Sequence, residues 1–140
     1  MIPLERLRAA RILVIDDEPA NVALLEAVLR REGYDAIEGV TDPHLAVGCR
    51  LTFDPDLIIL DLMMPGIDGY ALLDALRRVQ PPDEFLPVLV LTADTAVEAK
   101  RRALALGARD VVTKPFDLFE LGLRIANLVE LRLLYRARRA

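Results

Sequence analysis

Leu57-Ile58-Ile59-Leu60-Asp61-Leu62-Met63-Met64-Pro65-Gly66 runs four apolar residues straight into one carboxylate and then into a Pro-Gly turn. A stretch that apolar, closed by turn formers, reads as a strand buried on both faces of a parallel sheet. Asp61 then stands where the strand leaves the sheet, and in open α/β sheets ligands bind outside the carboxyl ends of the strands. Strand-end aspartates commonly do no more than cap a turn, so Asp61 acquires a role only through the groups that join it.

Working outward, residues 11–15 form a β-branched-rich first strand that ends in Asp16-Asp17-Glu18-Pro19. Proline is tolerated in the first turn of a helix, where its missing N–H would be unpaired anyway, so a helix starts near Pro19. Val22, Leu25 and Leu29, with Leu24 and Val28, give its apolar stripe, and Gly33 sits where a left-handed cap is expected. Residues 34–40 are a weaker second strand. Asp42 and Pro43 restart a helix, with Leu45, Ala46, Cys49 and Leu51 toward the core. Downstream of the opening stretch, Asp68 caps a third helix that turns Leu72, Leu73, Leu76 and Val79 inward, and Pro81-Pro82 stops it. Residues 87–91 are a fourth strand. Thr95 and Glu98 fit a capping box for a fourth helix ending at Gly107. Residues 110–113 are a short fifth strand, followed by Lys114-Pro115. Phe116, Asp117, Glu120 and Leu121 then fit the start of a fifth helix that runs toward residue 140. Residues 1–10 are a short, partly helical leader.

Strands alternating with helices predict a parallel sheet with right-handed crossovers and helices on both faces. At 140 residues one domain is expected. The fit is a flavodoxin-like (βα)5 α/β fold with strand order 2-1-3-4-5 and its switch point between strands 1 and 3. Composition agrees: 54% hydrophobic and 29% charged residues supply a core and exclude a disordered chain. No apolar run approaches the ~20 residues of a membrane span, and the acidic, h-region-free start argues against a signal peptide. The single Cys49 excludes an internal disulfide, suits a reducing compartment, and reads as a small core filler rather than a reactive thiol. A cytoplasmic chain is expected. The net charge of −4 gives no general nucleic-acid footprint.

The strand ends collect Asp16 and Asp17 from strand 1, Asp61 from strand 3, Thr92 from strand 4 and Lys114 from strand 5. Two carboxylates about 4 Å apart repel by roughly 4 kcal/mol at an effective dielectric near 20. Lys114 offsets one charge and a divalent cation two more. Hard oxygen ligands on short stems suit Mg2+, and with no His or Cys nearby zinc does not fit. A carboxylate beside Mg2+, a hydroxyl and an ammonium suits phosphoryl transfer. Asp61 can attack phosphorus and form an acyl phosphate, while the metal, Lys114 and Thr92 meet the phosphoryl oxygens.

These motifs resemble the response-regulator receiver domain of bacterial two-component signalling. Leu13-Val14-Ile15-Asp16-Asp17-Glu18, Asp61-Leu62-Met63-Met64-Pro65-Gly66-Ile67-Asp68-Gly69, Leu91-Thr92-Ala93 and Lys114-Pro115-Phe116 match the family in order, across residues 10–128. Each motif is weak alone; together they are specific. The resemblance implies Asp61 as phosphoacceptor and Asp16 with Asp17 as the acidic pair holding Mg2+, with the Met63 backbone carbonyl as a further ligand. It also implies Lys114 as partner of the acceptor, a cis Lys114-Pro115 bond, and a sensor histidine kinase or phosphotransfer protein as donor. The protein is then a signalling switch, not an enzyme beyond its own phosphorylation and autodephosphorylation. The chain departs from the pattern at Val111, where receivers often carry an aromatic partner to the switching threonine. A β-branched side chain has few rotamers and no ring to swing, so readout from Thr92 is muted or differently wired. Asp94 and Met63 occupy positions that tune phosphoryl lifetime in the family.

The sequence divides into a leader (1–10), a receiver (11–128) and an extension of the last helix (129–140). In the extension, apolar residues at 121, 128 and 135, and at 118 and 125, are a heptad apart, and Leu131 and Leu134 widen the stripe. Two readings stay open. The helix packs on its own domain with a solvated basic end at Arg132, Arg136, Arg138 and Arg139, or it leaves the domain, pairs with a second copy and leads toward an output module. A homodimer could also form through the fourth helix, fifth strand and fifth helix. Residues 127–134 resemble receivers joined to output domains, among them HD-GYP-type phosphodiesterases. No direct nucleic-acid or membrane contact is expected. His44, beside Asp42-Pro43 at a helix start, is a surface residue and not a phosphodonor. A rival enzyme reading is a Mg2+-dependent phosphatase with an aspartyl nucleophile. It wants a second acid two residues beyond the nucleophile, where Met63 stands. A flavin or nucleotide module would want a phosphate-binding loop where Asp16-Asp17-Glu18 repels phosphate.

Overall fold

The computed structural model describes residues 2–139. A short leader helix, α1 (Leu4–Arg8), precedes β1 (Arg11–Ile15), α2 (Pro19–Arg31), β2 (Ala36–Val40), α3 (Ala46–Phe53) and β3 (Leu57–Asp61). A two-stranded antiparallel ribbon follows, β4 (Met63–Met64) and β5 (Ile67–Asp68). The chain continues through α4 (Gly69–Arg78), β6 (Val88–Thr92), α5 (Val97–Ala105), β7 (Asp110–Thr113) and α6 (Leu118–Arg139). The five long strands form one parallel sheet in the order β2-β1-β3-β6-β7. Setting the ribbon aside, this is the expected order 2-1-3-4-5 of the flavodoxin-like fold, with the switch point between β1 and β3.

Side chains alternate across each strand, and the sheet divides the core accordingly. Ile12, Val14, Leu57, Ile59, Leu89, Leu91 and Val112 pack toward α2 and α6. Leu13, Ile15, Ile58, Leu60, Val88, Val90 and Val111 pack toward α3, α4 and α5. The central strand β3 is buried at every position, as its unbroken apolar run requires. Its register aligns Ile15 with Leu60 and Asp61 with Leu91, and β6 aligns Thr92 with Thr113. The carboxyl ends of four strands therefore come level at one mouth.

Three helical starts follow their capping residues. Asp42 accepts from the His44 amide at 3.0 Å, Asp68 from the amides of Tyr70 and Ala71, and Asp117 from those of Phe119 and Glu120. Gly33 takes the left-handed conformation, φ +103°, that closes α2. Three expectations fail. Leu24, assigned to the apolar stripe of α2, is exposed, because the helix turns Val22, Leu25 and Leu29 inward. The Thr95–Glu98 capping box does not form: α5 begins at Val97 behind Ala96, which makes no side-chain cap, and Asp94 instead accepts the Ala96 amide at 2.9 Å. In the second helix of the alternating pattern, Leu45 and Leu51 are exposed, while Ala46 and Arg50 face inward. A 3-10 turn over Pro43–Leu45 delays the helix to Ala46, and the inward face becomes the i, i+4 pair Ala46 and Arg50.

In α6 the heptad positions Leu121, Ile125 and Leu128 are buried in the domain's own core, together with Val129 and Leu133. Phe119, Leu123, Leu131 and Leu134 lie on the outer face. The leader helix α1 packs against α6, and Ile2 and Leu7 join the same apolar cluster as Leu133.

Candidate functional site

The mouth is built by strand ends that the register brings level. Asp16 leaves β1 fully buried, and its Oδ1 accepts the Glu18 amide at 2.9 Å. Asp61 ends β3, also buried, and its Oδ1 accepts the Met63 amide at 3.3 Å. Lys114 follows β7 and reaches in with Nζ 3.5 Å from Asp61 Oδ1 and 4.0 Å from Asp16 Oδ2. The Lys114-Pro115 peptide is cis. Asp17 completes an acidic group in which one oxygen from each of Asp16, Asp17 and Asp61 lies within 4.8 Å of the others. Thr92 is buried at the end of β6, and its Oγ1 accepts the Asp94 amide at 3.1 Å, so the hydroxyl keeps its own hydrogen to donate.

The loop beyond Asp61 is held from below. Gly69 opens α4 so close to Leu62 that an added Cβ would lie 2.1 Å from the Leu62 carbonyl oxygen. The ribbon of β4 and β5, turned at Gly66 with φ +76°, carries Met63 past Asp61 with its side chain exposed. Pro65-Gly66 is thus the tip of a hairpin as well as a turn.

Electrostatically the mouth is short of positive charge. Burial pushes the Asp16 carboxyl above its ordinary range, with the Asp61 charge adding to the rise; the Glu18 amide, Lys114 and Asn21 pull the other way. Asp16 Oδ2 is buried with no hydrogen-bond partner. A buried carboxylate oxygen without a donor is costly, and a hard cation between the three acids would satisfy it. The all-oxygen donor set is that of Mg2+ rather than zinc. The site therefore fits a divalent cation on its own geometry.

All the expected side chains except Val111 meet at the mouth. Val111 pairs with Val90 one layer deeper, buried on the same face of the sheet as Thr92. Sequence reasoning missed Asn21, in the first turn of α2. With Leu24, Leu25, Leu91, Lys114, Pro115, Phe116 and Asp16 it borders a cavity of about 310 Å³ beside the mouth. Its signal was helical spacing, since Asn21 lies one turn beyond Asp17. His44 is exposed, as expected. Cys49 is half-buried, and burial, with Glu38 adding, pushes its thiol pKa up, which disfavours the reactive thiolate.

Residues 12–126 match the family of response regulator receiver domains. Over 119 residues the chain is 40% identical to the transcriptional regulatory protein TrcR of Mycobacterium tuberculosis, covering 85% of this chain and 45% of that protein. Over 122 residues it is 41% identical to the DNA-binding dual master transcriptional regulator RpaA of Synechocystis, covering 85% of this chain and 48% of that one. Among solved structures, the receiver domain of the Francisella response regulator 1452 superposes with a TM-score of 0.77 at 31% identity, over 86% of this chain and 97% of that one. The chain belongs to the response regulator receiver domain family, a module of two-component signalling. It spans about half the length of these two curated relatives, 45% and 48%. The match gives the phosphatase reading no support, and none of these three relatives is described as having an HD-GYP output. Among the described residues no helix is long and apolar enough to cross a membrane.

Proposed function

We propose that Asp61 is the phosphoacceptor of this receiver and that the mouth around it transfers a phosphoryl group from a phosphohistidine. The observation that carries the reading is a buried Asp61 carboxylate with the Lys114 ammonium at 3.5 Å and two further acids in reach of a shared cation. Asp16, Asp17, Asp61 and the Met63 backbone carbonyl would hold Mg2+, which supplies positive charge for the phosphoryl oxygens. An Asp61 oxygen attacks phosphorus; the P–O bond forms as the donor's P–N bond breaks, and the imidazole leaves with the electron pair. Lys114 then shifts from pairing with a carboxylate to pairing with a phosphoryl oxygen, and Thr92 donates its hydroxyl hydrogen to another. Water attack on phosphorus later breaks the new P–O bond and returns the Asp61 carboxylate with inorganic phosphate.

The donor is a sensor histidine kinase or a phosphotransfer protein, in the cytoplasm. The output is a conformational shift read by a fused or separate partner. With Val111 in place of an aromatic, that shift runs through Thr92 and the adjoining backbone rather than through a swinging ring. Residues 11–128 would then carry the receiver chemistry, and residues 129–140 would extend its last helix. Pairing with a second copy would proceed through α5, β7 and α6, or through the end of α6.

The test is incubation with acetyl phosphate and Mg2+, followed by intact-mass measurement. One phosphoryl group is expected on the wild-type chain and none on Asp61→Asn. An adduct that persists in the variant would place the acceptor elsewhere.

A further inference from the structure

At the opposite pole from the acceptor, β3 is approached by a second carboxylate, Asp56, and this one is fully answered by the protein. Its Oδ2 accepts the Arg11 amide at 3.0 Å, while Oδ1 accepts Arg132 Nε at 3.3 Å and Arg136 Nη1 at 2.8 Å. Arg132 is itself buried, and all three of its guanidinium nitrogens are engaged. Nη1 donates to the Phe85 carbonyl at 2.7 Å, and Nη2 lies 3.4 Å from Glu84 Oε1. Glu84 also takes the buried Arg50 of α3 at 3.2 Å. One turn on, the Tyr135 hydroxyl donates to the Asp83 carbonyl and its ring meets Phe85 edge-on. The segment that one of the two open readings made a solvated basic end is therefore bound at both Arg132 and Arg136. Burying a guanidinium and a carboxylate is costly unless each keeps its partner, so the helix end cannot lift without leaving Asp56 and Arg132 uncompensated.

We propose that this cluster is an ion-pair latch. It holds the last turns of α6 in register with β3, fixes the direction in which the helix leaves the sheet, and makes residues 129–136 a structural part of the receiver. While it is closed, Leu128 and Val129 are buried and Tyr135 is engaged. Pairing through the heptad positions 121, 128 and 135 therefore requires the latch to open. The latch is independent of phosphoryl chemistry, since none of its residues belongs to the mouth.

Hydrogen exchange on the full chain tests it. Asp56→Asn should raise exchange at amides 130–137 at least about tenfold, because a buried guanidinium loses its counter-charge. The β1 and β6 amides should stay protected, and phosphoryl uptake from acetyl phosphate should confirm an intact fold. Adding Arg132→Met, which removes the stranded charge but keeps an apolar body, should restore much of the protection. A structural lesion without a latch would not be rescued in this way. If Asp56→Asn loosens the whole chain, Arg136→Ala decides, because that side chain is half-exposed. A local rise in exchange with a protected sheet supports the latch. Unchanged exchange at 130–137 in both variants overturns it, as does failure of Arg132→Met to restore protection.

Discussion

Burial, and then the neighbouring Asp61 carboxylate, work against ionisation of Asp16. Its folded-state pKa lies above its ordinary value of 3.8, so the ionised group is a standing cost above the folded pKa and the cost vanishes as pH falls below the unfolded one. Asp16→Asn should therefore raise the melting temperature of the Mg2+-free protein by several degrees at pH 7, since the amide oxygen can still accept the Glu18 N–H. Added Mg2+ should stabilise the wild type and leave this variant unchanged. Thermal scans with and without the cation measure both, and the variant's advantage should narrow on acidification as Asp16 of the wild type takes up its proton. Asp16, Asp61, Thr92 and Lys114 were legible because each ends an apolar run, so strand pattern and chemistry pointed to the same residues. Arg50, Asp56 and Arg132 were not. Their pairing depends on which strand and helix ends coincide in space, and a guanidinium at a core-facing helix position looks in sequence like a surface residue.

The elements around the mouth rest on close backbone approach as much as on side-chain chemistry. Gly69 is the sharpest case, because any Cβ there would strike the Leu62 carbonyl. Gly69→Ala should cost about 1–3 kcal/mol by urea unfolding, as forced overpacking usually does, and should slow phosphorylation by displacing the loop that positions Asp61. Gly48, exposed within α3 with nothing near its Cβ position, is the contrast. Gly48→Ala should stabilise by about 0.5–1 kcal/mol, from helix propensity and reduced freedom of the unfolded chain. Strands were legible to within a residue or two because their apolar runs are nearly continuous. Helix starts were less so. Thr95 and Glu98 satisfied a capping pattern, yet Asp94 captured the Ala96 amide first and moved the start of α5.

For the whole molecule, the two faces of the sheet and the order of the strands followed from alternation and length alone. The fate of α6 did not, because its heptad spacing serves a core-facing helix and a pairing helix equally well. Leu121, Ile125, Leu128, Val129 and Leu133 now lie in the domain's own core. Deleting residues 129–140 should then lower unfolding stability by on the order of 3 kcal/mol or more, since it strands buried Asp56 and uncovers apolar surface. Denaturant titration measures the loss. If the segment did nothing but pair with a second copy, sedimentation would change and monomer stability would not.

Four residues separate Asp56, just before β3, from Asp61 at its end, and the two carboxylates live under different rules. Asp56 meets guanidinium groups supplied by the chain, and its pair with Arg132 is too buried for salt to screen strongly. Asp61 shares a mouth where three acids face one ammonium, so a cation from solution would complete its balance. A chelator thus reaches one end of the strand and leaves the other to charges the chain supplies itself. Withdrawing divalent cations should silence one end while the other stays docked, so signalling competence can be removed without loss of mechanical integrity in the same sample.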